Sequence, residues 1–481
     1  MPAAAAERIA GPPSSPSAPS YNAVLLAIGL GAPAGVLAGF GLGPFALAAI
    51  PILVGCVLGL LGEVPLFLLI TMAASGVGFY WAEAGLLIAG RAINLSGLHW
   101  GLLGITAGIL LLRKRPTGVP RPLILYGVYL AVAAVAVAWA PDRFEGIKQL
   151  ILATLPLLMA LVVLAYLTTR AELRLVVDAY WVALVVAVAT AIGMWIAGHR
   201  SEGLGGGVGT RTFAIFLLPL MALALASVRH RSGGFVWVAL AIVGVAVATL
   251  SRTAVLVMLL LPLFATRGLR PPVRLAMLGL AVVLGVSALN LGAFRARFGE
   301  GRVQVSQVGV EGEGASAALT VGSVNLTGRG WIWVQVWRRA VRSPVIGHGT
   351  GSSTVYLAGL PRSPAAHPHN DYLRVFHDQG AIGLLAILAF GGAALLHFGG
   401  MHRRAEDRPT KRLALASYLA TLAYGAMAVT DNPLIYATFF TQNVFVLYAL
   451  TEVARRVAAD ETGAMPVAGQ GARPAAGDER G

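Results

Sequence analysis

The sequence predicts an all-α fold, a polytopic transmembrane helical bundle of about 12 to 14 spans with one large outer-side loop that contains short interfacial helices. Three observations predict it. Of 481 residues, 57% are hydrophobic and 12% charged, with a mean hydropathy of +0.76, which lies far outside the soluble range. The apolar residues come in runs of about the length a helix needs to cross a hydrocarbon core of roughly 30 Å, and a helix satisfies its backbone hydrogen bonds internally where water is absent. Between residues 292 and 380, by contrast, the chain is polar and glycine-rich.

Eleven apolar runs precede residue 292, near 21–42, 44–62, 64–82, 98–112, 121–140, 147–168, 174–197, 210–228, 234–250, 252–266 and 272–291. Three follow residue 380, at 381–400, 411–429 and 433–454. The fourth, ninth and tenth are short enough to be tilted, broken or partly re-entrant. The organisation expected is therefore a disordered tail over 1–20, transmembrane helices over 21–291, a large periplasmic loop over 292–380, three C-terminal transmembrane helices over 381–458, and a second disordered tail over 459–481. The first tail, rich in Ala, Pro and Ser, lacks the basic-then-apolar order of a secretory signal. The single cysteine, Cys56, falls within an apolar run, so it reads as a small buried hydrophobe and excludes a disulfide framework within the chain.

The net charge of +15 reflects topology and anionic membrane lipid rather than nucleic acid, because basic residues of short loops stay on the cytoplasmic side. Arg113-Lys114-Arg115 with Arg121, Arg170 with Arg174, Arg229 with Arg231, Arg267 with Arg270 and Arg274, and the cluster Arg403, Arg404, Arg408, Lys411, Arg412 all fall on one face of the alternation. Both termini share that face, the cytoplasmic one. The segment 199–211, Ser251-Arg252, the loop 292–380 and Asp431-Asn432 fall on the other. Nine arginines of the large loop, Arg295, Arg297, Arg302, Arg329, Arg338, Arg339, Arg342, Arg362 and Arg374, are not explained by topology. A guanidinium fork matches phosphate oxygens, so the cluster points to an anionic lipid or lipid-diphosphate ligand; pairing with head groups is the plainer alternative.

Within the loop, 294–326 shows no strong period and reads as a mobile lid. In RGWIWVQVWRRAVR, Trp331, Val334, Trp337 and Val341 recur at helical spacing with arginines flanking, as expected of a helix lying in the membrane interface. Pro344 ends it, and Gly347-His348-Gly349-Thr350-Gly351-Ser352-Ser353 reads as a flexible turn. His367-Pro368-His369-Asn370-Asp371-Tyr372 then leads to Gly380 and Gly383 at the start of a span. An imidazole there can take a proton near neutral pH, which a hydroxyl nucleophile requires; an ordinary polar interface residue is the alternative.

Leu250-Ser251-Arg252-Thr253, Gly328-Arg329 with Trp333, Pro344 with Gly347-His348-Gly349, and His369-Asn370-Asp371-Tyr372-Leu373 followed by Gly380-Ala381-Ile382-Gly383-Leu384 together resemble the O-antigen ligase family of bacterial inner-membrane glycosyltransferases, which also holds O-antigen polymerases and protein O-oligosaccharyltransferases. The resemblance covers roughly residues 235 to 400. It implies a metal-independent, inverting transfer of a glycan from undecaprenyl diphosphate to an acceptor hydroxyl, lipid A core or another glycan, on the periplasmic side, with no cofactor. Carried over by position, His369 looks like the family's essential histidine, and Arg252 and Arg329 look like arginines near the lipid diphosphate. Arg211 occupies a region where the family often has another, though Gly209-Thr210-Arg211-Thr212 matches only loosely. His367, Asn370, Gly380 and Gly383 would support the site.

The residues are consistent with such chemistry on their own. A diphosphate leaving group gains charge as its bond to the sugar breaks, and arginines around it stabilise that charge. No DxD pair occurs in the sequence. His369 accepts the acceptor's proton, or orients the hydroxyl while Asp371 does so. A polymerase extending a lipid-linked glycan, a flippase or transporter of a lipid-linked sugar, and a noncatalytic assembly partner remain open; no repeat between halves supports a transporter.

Overall fold

A computed structural model describes residues 44–75, 85–88, 91–196, 210–230, 232–249, 251–265, 329–360, 367–434 and 440–462, with isolated positions at 275, 279 and 283. The first expected tail, the span at 21–42, the expected lid over 294–326 and all but three positions of the span at 272–291 lie outside the described residues; the second tail, expected from 459, begins later, because the last helix runs on to Glu461. The chain folds as an all-α polytopic membrane protein. In order come α1 (Pro44–Leu60), α2 (Val64–Ser75), a small antiparallel hairpin of β1 (Gly85–Ile88) and β2 (Arg91–Asn94), α3 (Leu95–Arg113), α4 (Arg121–Ala136), α5 (Arg143–Tyr166), α6 (Arg170–Ile196), α7 (Thr210–His230), α8 (Phe235–Ala248) and α9 (Arg252–Ala265). After the undescribed stretch follow α10 (Arg329–Ala340), α11 (Ser352–Ala358), α12 (Asp371–Arg404), α13 (Arg408–Ala428) and α14 (Gln442–Glu461).

Among the described residues, five stretches are long and apolar enough to cross a membrane: Arg121–Trp139, Arg143–Tyr166, Arg170–Gly193, Thr212–His230 and Asp371–Arg404. Five shorter apolar helices accompany them, among them α8 and most of α9, where the sequence anticipates short or broken spans. Within the core, an aromatic cluster joins α4, α12 and α14, where Tyr126, Phe390, Phe398, Phe445 and Tyr448 interlock; the Tyr126 and Phe445 rings meet edge to face at 4.6 Å. Large apolar side chains also cover the outside, with Leu385 65% and Leu396 77% exposed on α12. An apolar exterior is what a lipid-facing surface requires.

The basic loops collect at one end of the bundle. Arg113 donates to the Leu60 carbonyl, Arg456 of α14 to Thr117 and to the Leu164 carbonyl, and Arg170 pairs with Glu461. Arg229 donates to the Ala265 carbonyl at 3.1 Å, and the His230 and His402 rings meet at 5.3 Å. His397 and Glu452, 2.5 Å apart, tie the C-terminal parts of α12 and α14 together at that end. The beginnings of α7, α9 and α12, which carry Arg211, Arg252 and Asp371, therefore point the opposite way.

The largest departure from the expected layout is α12. Its helix starts at Asp371 rather than after Gly380, and it breaks at Gly380, whose φ is 66° and ψ −163°. A Cβ there would stand 2.2 Å from the Val345 carbonyl oxygen. The broken turn leaves backbone groups without helical partners, and the segment after Pro344 supplies them: Ala381 N–H donates to Pro344 O at 2.7 Å, His348 N–H to His377 O at 3.0 Å, and Gly349 N–H to Asp378 O at 2.9 Å. Glycine at 383 makes room for Gln379, whose Cβ lies 2.3 Å from where a Cβ would be.

Candidate functional site

Asn370 explains where α12 starts. Its side chain accepts from Leu373 N–H at 2.9 Å, the N-cap contact that satisfies an orphan donor of the first turn. The residue before it, His369, is the only non-glycine residue with positive φ (51°) among the described residues, a left-handed conformation that costs a side chain with a Cβ free energy and that clusters at functional sites. Neighbours hold it there. Trp333 of α10 donates Nε1–H to the Pro368 carbonyl at 2.7 Å, immediately upstream.

The imidazole faces the turn between α13 and α14. Its Nδ1 lies 3.3 Å from Asp431 Oδ1 and 3.4 Å from the Asn432 carboxamide. Asp431 and Asn432 are buried, whereas the His369 side chain keeps 18% exposure. Asp431, which only accepts, suits the tautomer with the proton on Nδ1 and the lone pair on Nε2, whereas the Asn432 amide nitrogen, which only donates, suits the other. Arg329 reaches the same turn, donating Nη1–H to the Thr430 carbonyl at 2.6 Å. Histidine and arginine thus converge on three consecutive residues, 430–432.

Asp371 has a different setting. Both its oxygens are engaged, Oδ1 by Arg374 Nε–H at 2.8 Å and Oδ2 by Leu434 N–H at 2.7 Å, and it is 3% exposed. Arg374 is buried too and donates Nη1–H to Gln149 Oε1 at 3.1 Å, so it belongs to an internal network rather than to a ligand-facing arginine cluster. Gln149 passes the chain on to Thr354 Oγ1 at 3.0 Å, and Thr354 lies 3.2 Å from His367 Nδ1. Burial first, and then the Arg374 charge, push His367 down to about 4, so it is neutral at physiological pH.

The glycine-rich turn is tightly held rather than flexible. Gly347, Gly349 and Gly351 all have positive φ, and a Cβ on Gly349 would lie 2.4 Å from Ala140 Cα. Successive amides of this kind can cradle an anion, and here the anion is internal. Asp378 accepts from Gly351 N–H at 3.0 Å, Ser353 N–H at 2.8 Å and the hydroxyls of Ser352 and Ser353.

The interfacial-helix reading of 329–342 matches α10 in extent, with a second apolar face besides. Ile332 and Val336 pack with Leu357 of α11, while Trp331, Val334, Trp337 and Val341 are 44–54% exposed. Arg252 opens α9 and Arg211 stands in the first turn of α7; their side chains lie outside the described residues. Gly380 and Gly383 shape the break in α12 below His369. Among the described residues no group of three or more His, Cys, Asp or Glu side chains converges as metal ligands. Sequence reading left Asp431, Asn432 and Gln149 out of the site; for the first two the signal was an acidic residue and an amide ahead of a proline, between two apolar spans on the loop side of His369.

Residues 235–388 match the family model described as O-Antigen ligase. The matched range runs from α8 to the middle of α12 and contains Arg252, Arg329 and the His369 to Gly383 motif, whereas Asp431 lies beyond it. No curated protein matches the chain.

Proposed function

We propose, from the match of residues 235–388 to the O-Antigen ligase model, that the protein is an O-antigen ligase/polymerase-type membrane glycosyltransferase of a bacterial membrane, and that it transfers a glycan from undecaprenyl diphosphate to a hydroxyl of lipid A core. The reaction takes place on the periplasmic side of the inner membrane, with both termini in the cytoplasm. The observation that carries this reading is the presentation of His369: a strained backbone, a carboxylate on Nδ1 and a partly exposed ring. The acceptor oxygen attacks the anomeric carbon from the face opposite the diphosphate, its proton passes to His369 Nε2, and the carbon–oxygen bond to the diphosphate breaks with inversion. Undecaprenyl diphosphate leaves with the bonding electron pair.

Arg329 fits the charge that develops on the leaving group, since a guanidinium preorganised by a backbone carbonyl stabilises that charge at little reorganisation cost. Arg252 and Arg211, at the starts of helices that point toward the His369 end, are assigned to the same diphosphate. Because both Asp371 oxygens are engaged, the proton is given to His369 and Asp371 is not needed as a base. The polyprenyl tail lies along the apolar exterior.

The test is transfer in proteoliposomes with a purified undecaprenyl-diphosphate-linked glycan and lipid A core as acceptor. His369→Ala should abolish product while the protein still inserts and melts as the parent does; full activity of that variant would falsify the assignment. Replacing lipid A core by a second molecule of the lipid-linked glycan separates ligase from polymerase.

A further inference from the structure

We infer that the buried Asp371–Arg374 pair is a positioning device that sets the distance between His369 and Asp431; this rests on the function proposed above. Besides Arg329 Nη1–H on the Thr430 carbonyl and Thr430 N–H on the Met427 carbonyl, three contacts hold the turn that carries Asp431. Asp431 N–H donates to Met427 O at 2.8 Å, Thr441 Oγ1–H donates to Pro433 O at 2.6 Å, and Leu434 N–H donates to Asp371 Oδ2 at 2.7 Å. The first two come from α13 and from just before α14. Only the third comes from the segment that carries the imidazole, two residues after it.

Asp371 can do this because it has two oxygens pointing two ways. Oδ1 is fixed by Arg374 within the same helix, and Oδ2 is thereby aimed across at the Leu434 amide. Arg374 in turn is steadied by Gln149 of α5. A buried ion pair is weak evidence for stability, because well-packed apolar residues of the same volume often replace it without loss. What apolar residues cannot supply is an acceptor at a fixed place. Misplacement of a catalytic group by about 1 Å costs on the order of 100-fold in rate, so the contact bears on catalysis through the His369–Asp431 spacing, which at 3.3 Å already sits at the long end of a hydrogen bond.

The test uses three variants of the full chain in proteoliposomes, with turnover and donor KM measured separately and the melting temperature recorded. Asp371→Leu/Arg374→Met removes both charges and the acceptor. It should insert and melt near the parent, lose about tenfold or more in kcat, and keep its donor KM within about twofold, because no donor contact is touched. Asp371→Asn/Arg374→Met restores one oxygen for the Leu434 amide and should recover most of that loss. A kcat near the parent's in the apolar pair, or no recovery in the amide pair, overturns the inference. Should the apolar pair fail to insert, Asp371→Asn alone replaces it. One amide oxygen then faces two donors, so this single variant should be slower than Asp371→Asn/Arg374→Met, and equal or reversed rates overturn the idea. His369→Ala in the same assay keeps the two claims apart. Activity there removes the proposed function itself, whereas a dead His369 variant beside a fully active apolar pair removes only the positioning role.

Discussion

Two histidine–aspartate pairs stand eight positions apart around the start of α12, and they have opposite fates. His369 meets Asp431 at 3.3 Å with 18% of its side chain exposed, and its Nε2 has no hydrogen-bond partner among the described residues. His377 meets Asp378 at 2.9 Å with neither side chain exposed. The second pair even has a serine in reach, Ser352 Oγ at 3.2 Å from His377 Nδ1, and so contains the residue types of a nucleophilic site. It lies between the His348 and Tyr356 rings, centroids 5.0 and 6.0 Å away, where no substrate can enter. Its work is to close the glycine-rich turn onto the break in α12. Residue chemistry is the same at both places; access and backbone conformation separate them.

The comparison is broken most directly by exchanging the two histidines' roles in an assay. His369→Ala should lose roughly 10²- to 10⁴-fold in kcat, the usual scale of a removed general base. His377→Gln, in contrast, should lower the melting temperature yet leave kcat per folded molecule within a fewfold of the parent. A His377 variant that melts normally but does not turn over would put the chemistry at the wrong pair. Arg329→Ala should cost about 10²- to 10³-fold in kcat with the lipid-linked donor, the scale of one lost electrostatic donor. Arg329→Lys then decides between charge and fork geometry, and recovery short of tenfold favours the fork.

On the structural side, Asp378→Ala strands two backbone amides and two hydroxyls in the interior and should destabilise by about 3 kcal/mol or more, read as a lower melting temperature. Gly380→Ala should prevent recovery of folded protein, given its φ of 66° and the 2.2 Å contact, while Gly391→Ala, with nothing within 4 Å, should be silent. The smallest effect sharpens the role of His367. Its folded-state value of about 4 lies below the ordinary 6.5, so between those values the unfolded chain binds a proton that the folded chain does not. Its contribution to stability is complete above about pH 6.5 and falls away as the pH drops toward 4. His367→Gln should flatten that part of the melting-temperature profile, and an unchanged profile would show that His367 does not set it.

Periodicity made α10 legible as a helix, because Trp331, Val334, Trp337 and Val341 repeat at helical spacing. It could not show the face that packs inward, since Ile332, Val336 and Ala340 repeat at the same spacing. Gly347, Gly349 and Gly351 signalled a special backbone but not a rigid one. Their rigidity comes from Asp378, a partner 27 residues from Gly351 in sequence. Arg374 looked like one more arginine available for phosphate, and only its burial against Asp371 and Gln149 shows otherwise. The spacing from Asn370 to Gly380 was visible as a motif; its meaning, a capped helical stretch that ends in a break, needed the coordinates.

By itself the sequence determined that the chain is a bundle of membrane-crossing helices and that His369 stands where a polar loop meets an apolar run. Those properties follow from composition and local period, because lipid admits little besides helices. Tertiary packing alone decided which histidine is presented and which is sealed, and it brought Asp431 to His369 across 62 positions of chain. A carboxylate's partner is chosen by how helices dock, and docking is set by surfaces that residues near in sequence do not share.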